Sequence, residues 1–341
     1  MRVLVTGGLG FIGSHLVEAL VAAGHQAFAL DSAWFNGVPL APAHQAEVQA
    51  RRERLARLGV TVLERDLLHE GDAEAALAQA APTHLVHLAG LARADVATRT
   101  PMVAVAANLD ATARLLDACA RTPGFQRLLF VSSSMVYGHF ENGVAAEDHP
   151  CRPIEPYGAT KLAGEALVWS WARRTPFEAV VVRPSVVYGP GDFNGRVTQL
   201  FLDAALDGRP LLLYAGGRER LDFTYVSDAV SGMLTCLTHP AAAGQTFNLS
   251  SGDGRSLNEL ARVVAAYIPG IALNVREQES DRPRRGALDI ARARDLIGYR
   301  PVVSIEEGMW HLARARGVAV PDRPIGRVPD GTEGLTALRT S

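Results

Sequence analysis

The sequence predicts a doubly wound α/β protein, a parallel sheet covered by helices on both faces, followed by a smaller α/β lobe. Apolar runs of strand length alternate with segments of helix length over the first half of the chain. Those runs are greasy on both of their faces, the pattern of strands buried from two sides. A glycine cluster, "VLVTGGLGFIGSHLVEAL", also stands where the first strand would give way to the first helix.

The predicted strands, in order, are Arg2–Thr6, Gln26–Asp31, Thr61–Glu64, His84–Leu88, Arg127–Ser132 and Glu178–Arg183. Between the second and third lies a Pro-rich loop and a charged stretch, His44 to Leu58, expected as a solvated surface helix. After Arg183 the pattern loosens into loops such as "YGPGDFNGR" and "YAGGRERLDFTY". Helices are expected near Val197–Leu206, Ser227–Leu237, Leu257–Ala266 and Ile290–Ile297. The implied organisation is a sheet domain over 1–183, to which some later segments return, and mainly a second lobe over 184–316. Residues 317–341, rich in Pro, Gly and polar residues, read as a loosely held tail.

The 341 residues are enough for a large core, and 48% hydrophobic with 21% charged residues is an ordinary globular composition. A net charge of -2 gives no field for nucleic acid or an anionic membrane, so the expected partner is a small molecule gripped locally. Cys119, Cys151 and Cys236 are odd in number and widely spaced, which excludes a disulfide framework and a zinc knuckle; a reducing cytoplasm is expected. No apolar run is long enough for a membrane span, and no metal site is read.

Gly7, Gly8, Gly10 and Gly13 suit a turn in which backbone must approach a pyrophosphate, with the following helix N-terminus supplying free N–H donors. Gly13, one turn into the helix, lets helix and strand approach closely. Asp31 ends the second strand 18 residues after Gly13, where a carboxylate can accept from ribose hydroxyls and repel a 2′-phosphate. No Arg or Lys follows it before Arg51, so the predicted cofactor is NAD rather than NADP. Asp66 stands just after the third strand, placed either to reach the adenine amino group or to cap a helix.

"PYGATKLAGEAL" sets Tyr157 and Lys161 four apart, on one helix face, where a cation can lower the phenol pKa and make it a base. About twenty residues earlier, "LLFVSSSMVYG" runs a buried strand out into three serines at the carboxyl end of the sheet, the ligand-binding end of such folds.

These motifs, with "HLAG" at 87–90, Asn108, "VVRPSVVYGPGD" and "DFTYVSDA", resemble the extended short-chain dehydrogenase/reductase family, specifically its nucleotide-sugar epimerases and dehydratases. The resemblance spans roughly Met1 to Leu312. It implies a Rossmann domain and a C-terminal substrate-binding lobe. Tyr157 is then the base, Ser133 the hydroxyl that relays to it, and Lys161 the holder of the nicotinamide ribose. The implied cofactor residues are Gly7, Gly10, Phe11, Ile12, Gly13, Asp31, Asp66, Leu67, Leu88, Ala89, Gly90, Asn108, Tyr157 and Lys161. Tyr188 and Pro190 would border nicotinamide and substrate, and a homodimer paired through the tyrosine helix and its predecessor is implied.

Dehydratases of the family resemble T-D-E-V-Y-G, with a Glu two before the tyrosine; here that position is Met135, which carries no proton. The expected reaction is therefore epimerisation, most often at C4 of a UDP-sugar. A dehydratase with displaced acid/base residues, a 4-ketosugar reductase and a catalytically silent dinucleotide sensor are the alternatives. Two family positions depart: Val186 replaces a diphosphate-contacting Asn, and Leu221 a diphosphate-contacting Arg. Arg220 and Arg282 are the candidate phosphate clamps, with Arg218 nearby. Ser133, Ser134, Tyr157, Arg220 and Arg282 are the expected substrate contacts.

Overall fold

The computed structural model describes residues 1–33, 41–276, 283–328 and 336–339. Its centre is a parallel seven-stranded sheet. The first strands follow the sequence order β1 (Arg2–Thr6), β2 (Gln26–Asp31), β3 (Thr61–Glu64), β4 (His84–His87) and β5 (Arg127–Val131). A short β6 (Val144–Ala145) lies apart, and β7 (Glu178–Pro184) rejoins the sheet, followed by β8 (Val186–Tyr188), β9 (Leu211–Leu213), β10 (Arg220–Tyr225) and β11 (Thr246–Leu249). The sheet order is β11-β7-β5-β4-β1-β2-β3. The chain thus winds one way from β1 and then the other way from β4, which opens a crevice beyond the carboxyl ends of these two neighbours.

Each of the six predicted strands is present to within a residue at its carboxyl end. The seventh, β11, carries no alternating signal, and Asn248 stands at its middle. That amide is matched by donors and acceptors rather than left orphaned: it gives hydrogen bonds to the Ala145 and Asp289 carbonyls and accepts one from Tyr137.

Alternation along β1 divides the domain core. Val3 and Val5 face a layer containing α1 (Phe11–Ala22), α2 (Pro42–Arg57) and a later helix. Leu4 faces the other, with α3 (Asp72–Ala80), α4 (Ala94–Arg99) and α5 (Pro101–Val105) preceding α6 (Ala111–Ala120) and α7 (Pro156–Ala172) on that side of the chain's path. All three β1 residues are fully buried, each burial stabilising the fold by about 1.5–3 kcal/mol. Helix α2 is not merely solvated: Val48, Arg51 and Leu55 form its buried stripe.

The second lobe gathers α8 (Val197–Leu206), α9 (Val226–Thr238), which packs back on the sheet domain against α1, and α10 (Leu257–Tyr267). Its two small sheets join β8 and β10 to β12 (Gly254–Ser256), and β9 to β13 (Ala272–Val275) and β15 (Thr336–Arg339). The pair of β14 (Ala287–Leu288) with β6, helix α11 (Ala291–Ile297) and α12 (Ile305–Ala315) complete the described elements. Beyond residue 317, Val318, Val320, Ile325 and Val328 pack on the lobe core. The Trp310 indole donates to the Pro321 carbonyl at 2.7 Å, and the Val328 N–H donates to Glu306 at 3.0 Å. Among the described residues no helix is long and apolar enough to cross a membrane.

Candidate active site

A cavity of about 1280 Å³ opens at the carboxyl ends of β1 and β4 and runs into the second lobe. Its sheet-side floor is the glycine loop. Gly7 takes φ +70°, a left-handed turn open to glycine, and the N–H groups of Gly7 and Gly8 both donate to the Leu30 carbonyl. A Cβ on Gly13 would stand 2.0 Å from the Gly7 oxygen, so α1 can start against the loop only without one. Gly10 precedes α1 with no side-chain cap, leaving first-turn N–H groups toward the cavity. Gly7, Gly10, Phe11, Ile12 and Gly13 all line it.

Asp31 lines the cavity beside this loop. Its Oδ2 accepts from the Leu9 N–H and its Oδ1 from the Ala33 N–H, both at 2.9 Å. Burial pushes its carboxyl up, and these backbone donors pull it back. Each oxygen keeps further acceptor capacity. Asp66 and Leu67 form the adjoining wall, where Asp66 caps its own turn by accepting from Leu68 N–H at 2.9 Å.

Leu88, Ala89 and Gly90 line the cavity, but Asn108 does not reach it. Asn108 lies in a π-helical turn, Ala106–Asp110, buried behind the wall. Its Oδ1 accepts from Leu91 N–H at 2.7 Å, and its Nδ2 donates to the Leu91 carbonyl and to Thr160 Oγ1. The residue expected at the cofactor instead staples the wall to α7.

Beyond β5, Ser132, Ser133 and Ser134 line the cavity with Tyr157 and Lys161 of α7. A Cβ on Gly158 would lie 2.5 Å from the Met135 oxygen, so glycine brings α7 against the serine turn. There Tyr157 stands near enough to Ser133 for that hydroxyl to favour the phenolate. Lys161 Nζ donates to the Val131 carbonyl at 2.9 Å and lies 5.2 Å from the Phe130 ring. Burial lowers Lys161 to about 8, against the pull of Glu165. Burial raises Tyr157, whereas Arg196 and the Ser133 hydroxyl lower it. Arg196 of the second lobe is thus a cation that favours the phenolate, one to which the sequence did not point.

On the lobe side, Val186 and Leu221 both line the cavity. The neighbouring Arg220 projects the other way along β10: it donates to the Gly254 carbonyl and stands 3.6 Å from Glu259. It is not brought to the cavity, and Arg282 lies outside the described residues. Tyr188 and Pro190 are also absent from the walls; Tyr188 is buried with Phe223 and Tyr225 in the lobe core. Among the described residues, the arginines that line the lobe side are Arg196, Arg209 and Arg285. Arg285 Nη1 lies 3.5 Å from Met135 Sδ. Arg285 belongs to the "SDRPRRG" run that drew attention to Arg282; Arg196 closes "YGPGDFNGR", whose loop pattern gives no orientation.

The cradle without Cβ atoms, the acid at the end of β2 and the uncapped helix N-terminus fit a dinucleotide. The volume beyond them leaves room for a second ligand.

Residues 3–250 match the model of the "NAD dependent epimerase/dehydratase family". The chain is 31% identical over 319 residues to a UDP-glucose 4-epimerase of Mycolicibacterium smegmatis, covering 91% of this chain and 96% of that protein. It is 30% identical over 327 residues to a dTDP-glucose 4,6-dehydratase of Actinoplanes sp., covering 92% and 98%. The crystal structure of a UDP-glucuronic acid 4-epimerase from Bacillus cereus, in complex with UDP-glucuronic acid and NAD, superposes with TM-score 0.83. That match is 25% identical and covers 92% of this chain and 98% of that one.

Proposed function

The chain belongs to the NAD dependent epimerase/dehydratase family, and from that premise we propose that it epimerises a nucleotide sugar, with a UDP-sugar and its C4 carbon favoured. The observation that carries this reading is Met135. It lines the cavity beside Ser133 and Tyr157, in the place where the family's dehydratases resemble one another in holding a glutamate, and a thioether neither gives nor takes a proton. A bound NAD would supply a reversible hydride acceptor, so that the cycle would have no net redox change.

The chain's own groups supply the rest. Gly7 to Gly13 and the α1 N-terminus would hold the pyrophosphate, Asp31 the adenosine ribose, and Lys161 the nicotinamide ribose. Tyr157 takes the proton of the sugar hydroxyl, with the Ser133 hydroxyl bridging, and gives it back after the sugar has turned over. Among the described residues, Arg196, Arg209 and Arg285 are the lobe-side cations that could meet the diphosphate and the sugar. The homodimer expected from the family resemblance would bury an apolar face beside α7: on α5, Met102 is 75% exposed and Val105 38%.

Purified protein incubated with UDP-, dTDP-, GDP- and CDP-sugars provides the test, with products read by mass and NMR. Unchanged mass with inverted stereochemistry supports epimerisation. Loss of one water would replace it with dehydration, and gain of a hydride and a proton with reduction. Tyr157→Phe should lower the turnover found by roughly 10²–10⁴-fold.

A further inference from the structure

Helix α2 carries one arginine unlike its neighbours. Arg51 is 1% exposed, whereas Arg52 and Arg54 reach the surface. Its guanidinium donates from Nη1 to the Leu9 carbonyl at 2.9 Å, from Nη2 to the Gly191 carbonyl, and from Nε to Glu47 Oε1 at 3.1 Å. The Phe193 ring lies 4.9 Å from its Cζ, and His44 of α2 stacks on that same ring at 4.6 Å.

The two carbonyls belong to the two sides of the cavity. Leu9 is part of the glycine loop, and its N–H is the one held by Asp31, so the peptide groups on both sides of its Cα are gripped. Gly191 and Phe193 belong to the loop that supplies Phe193, Asn194, Gly195 and Arg196 to the lobe wall. Within that loop Asp192 Oδ2 stands 3.1 Å from Arg196 Nε. Gly191 takes φ +83°, and a Cβ there would stand 3.0 Å from Glu47 Oε1, so the loop lies hard against α2. A buried charge is tolerated only when paired and hydrogen-bonded, and here Glu47 and two carbonyls do both. A planar fork can serve two carbonyls at a fixed spacing; the point charge of a lysine cannot.

We propose that Arg51 is a positioning residue that fixes the cofactor-side glycine loop and the sugar-side loop Gly191–Arg196 to each other. The inference rests on the reading of this cavity as a site for NAD and a nucleotide sugar. It makes helix α2 a part of the site's frame, with the Arg51 fork, among the described residues, as the group of that helix that joins both loops.

The test uses full-length protein, with NADH binding followed by nicotinamide fluorescence and binding of UDP and dTDP by calorimetry, with and without saturating NADH. Arg51→Gln is expected to weaken both NADH and the preferred nucleoside diphosphate about tenfold or more, and saturating NADH should not restore the diphosphate. Arg51→Lys should repair neither fully. Phe193→Ala, which leaves the Leu9 contact in place, should weaken the diphosphate alone, and keeps the test open if Arg51→Gln fails to fold. Arg54→Gln removes the bridge from α2 to Glu18 and should leave both affinities within a factor of about two, as for exposed ion pairs generally. Loss of only one ligand in Arg51→Gln, recovery at saturating NADH, or an equal loss in Arg54→Gln would each overturn the inference alone. Wild-type protein that binds neither NADH nor a nucleoside diphosphate would sink the functional reading with it.

Discussion

Glu165 and Arg183 meet as a two-point ion pair beneath α7, Oε1 to Nε at 2.9 Å and Oε2 to Nη2 at 2.6 Å, with both side chains buried. Ser132 also donates to Glu165, and Arg183 donates to the Tyr137 hydroxyl at 3.0 Å. The pair therefore joins the tyrosine helix, the serine turn and β7. Removing one charge strands the other in the interior. Glu165→Gln should cost about 3–5 kcal/mol of unfolding free energy, read by denaturant titration; a loss below about 1 kcal/mol would show that the site is solvated.

Arg196 should set the pH at which the phenol becomes a base. It favours the phenolate of Tyr157 against the upward push of burial, so its removal raises the phenol further. The rising limb of the kcat–pH profile in Arg196→Gln should therefore move to higher pH. A limb that stays in place, in a variant that still turns over, would remove Arg196 from this role.

Burial lowers Lys161 to about 8 from its ordinary 10.5, so between these values the unfolded chain binds the proton that the folded chain has lost. Folding stability in the absence of cofactor must then rise with pH across that window, by roughly 3 kcal/mol in all. Lys161→Met should lack this rise. Parallel unfolding curves from pH 8 to 10.5 for the two proteins would refute it.

Gly13→Ala sets a methyl into the Gly7 oxygen, a backbone atom that cannot swing aside. The variant should lose about 1–3 kcal/mol of stability and bind NADH more than about tenfold less tightly. Thermal unfolding and fluorescence titration measure the two effects separately.

What could be read before the structure was local. Six strands, the glycine turn and Asp31 follow from periodicity and spacing, because a strand buried on both faces must be apolar along its whole length. Ser133, Tyr157 and Lys161 were also legible, since helix geometry puts i and i+4 on one side and the fold puts strand ends at the ligand. Asn108 was legible as a special residue but not as a buried staple, because only Leu91 and Thr160, both distant in sequence, reveal what its amide satisfies. The same limit applies to Arg220, whose neighbour Leu221 takes the cavity face of β10.

The sequence by itself determined the fold class, the glycine loop and the candidate proton-transfer residues, each written in a short window of chain. Only the tertiary structure decided which arginines matter. A guanidinium has no periodicity to betray its direction, and whether it is solvated or buried depends on partners that other segments bring. In sequence Arg51 is one of several charges on a surface helix; in the structure Leu9 and Gly191, from the two sides of the cavity, share its fork.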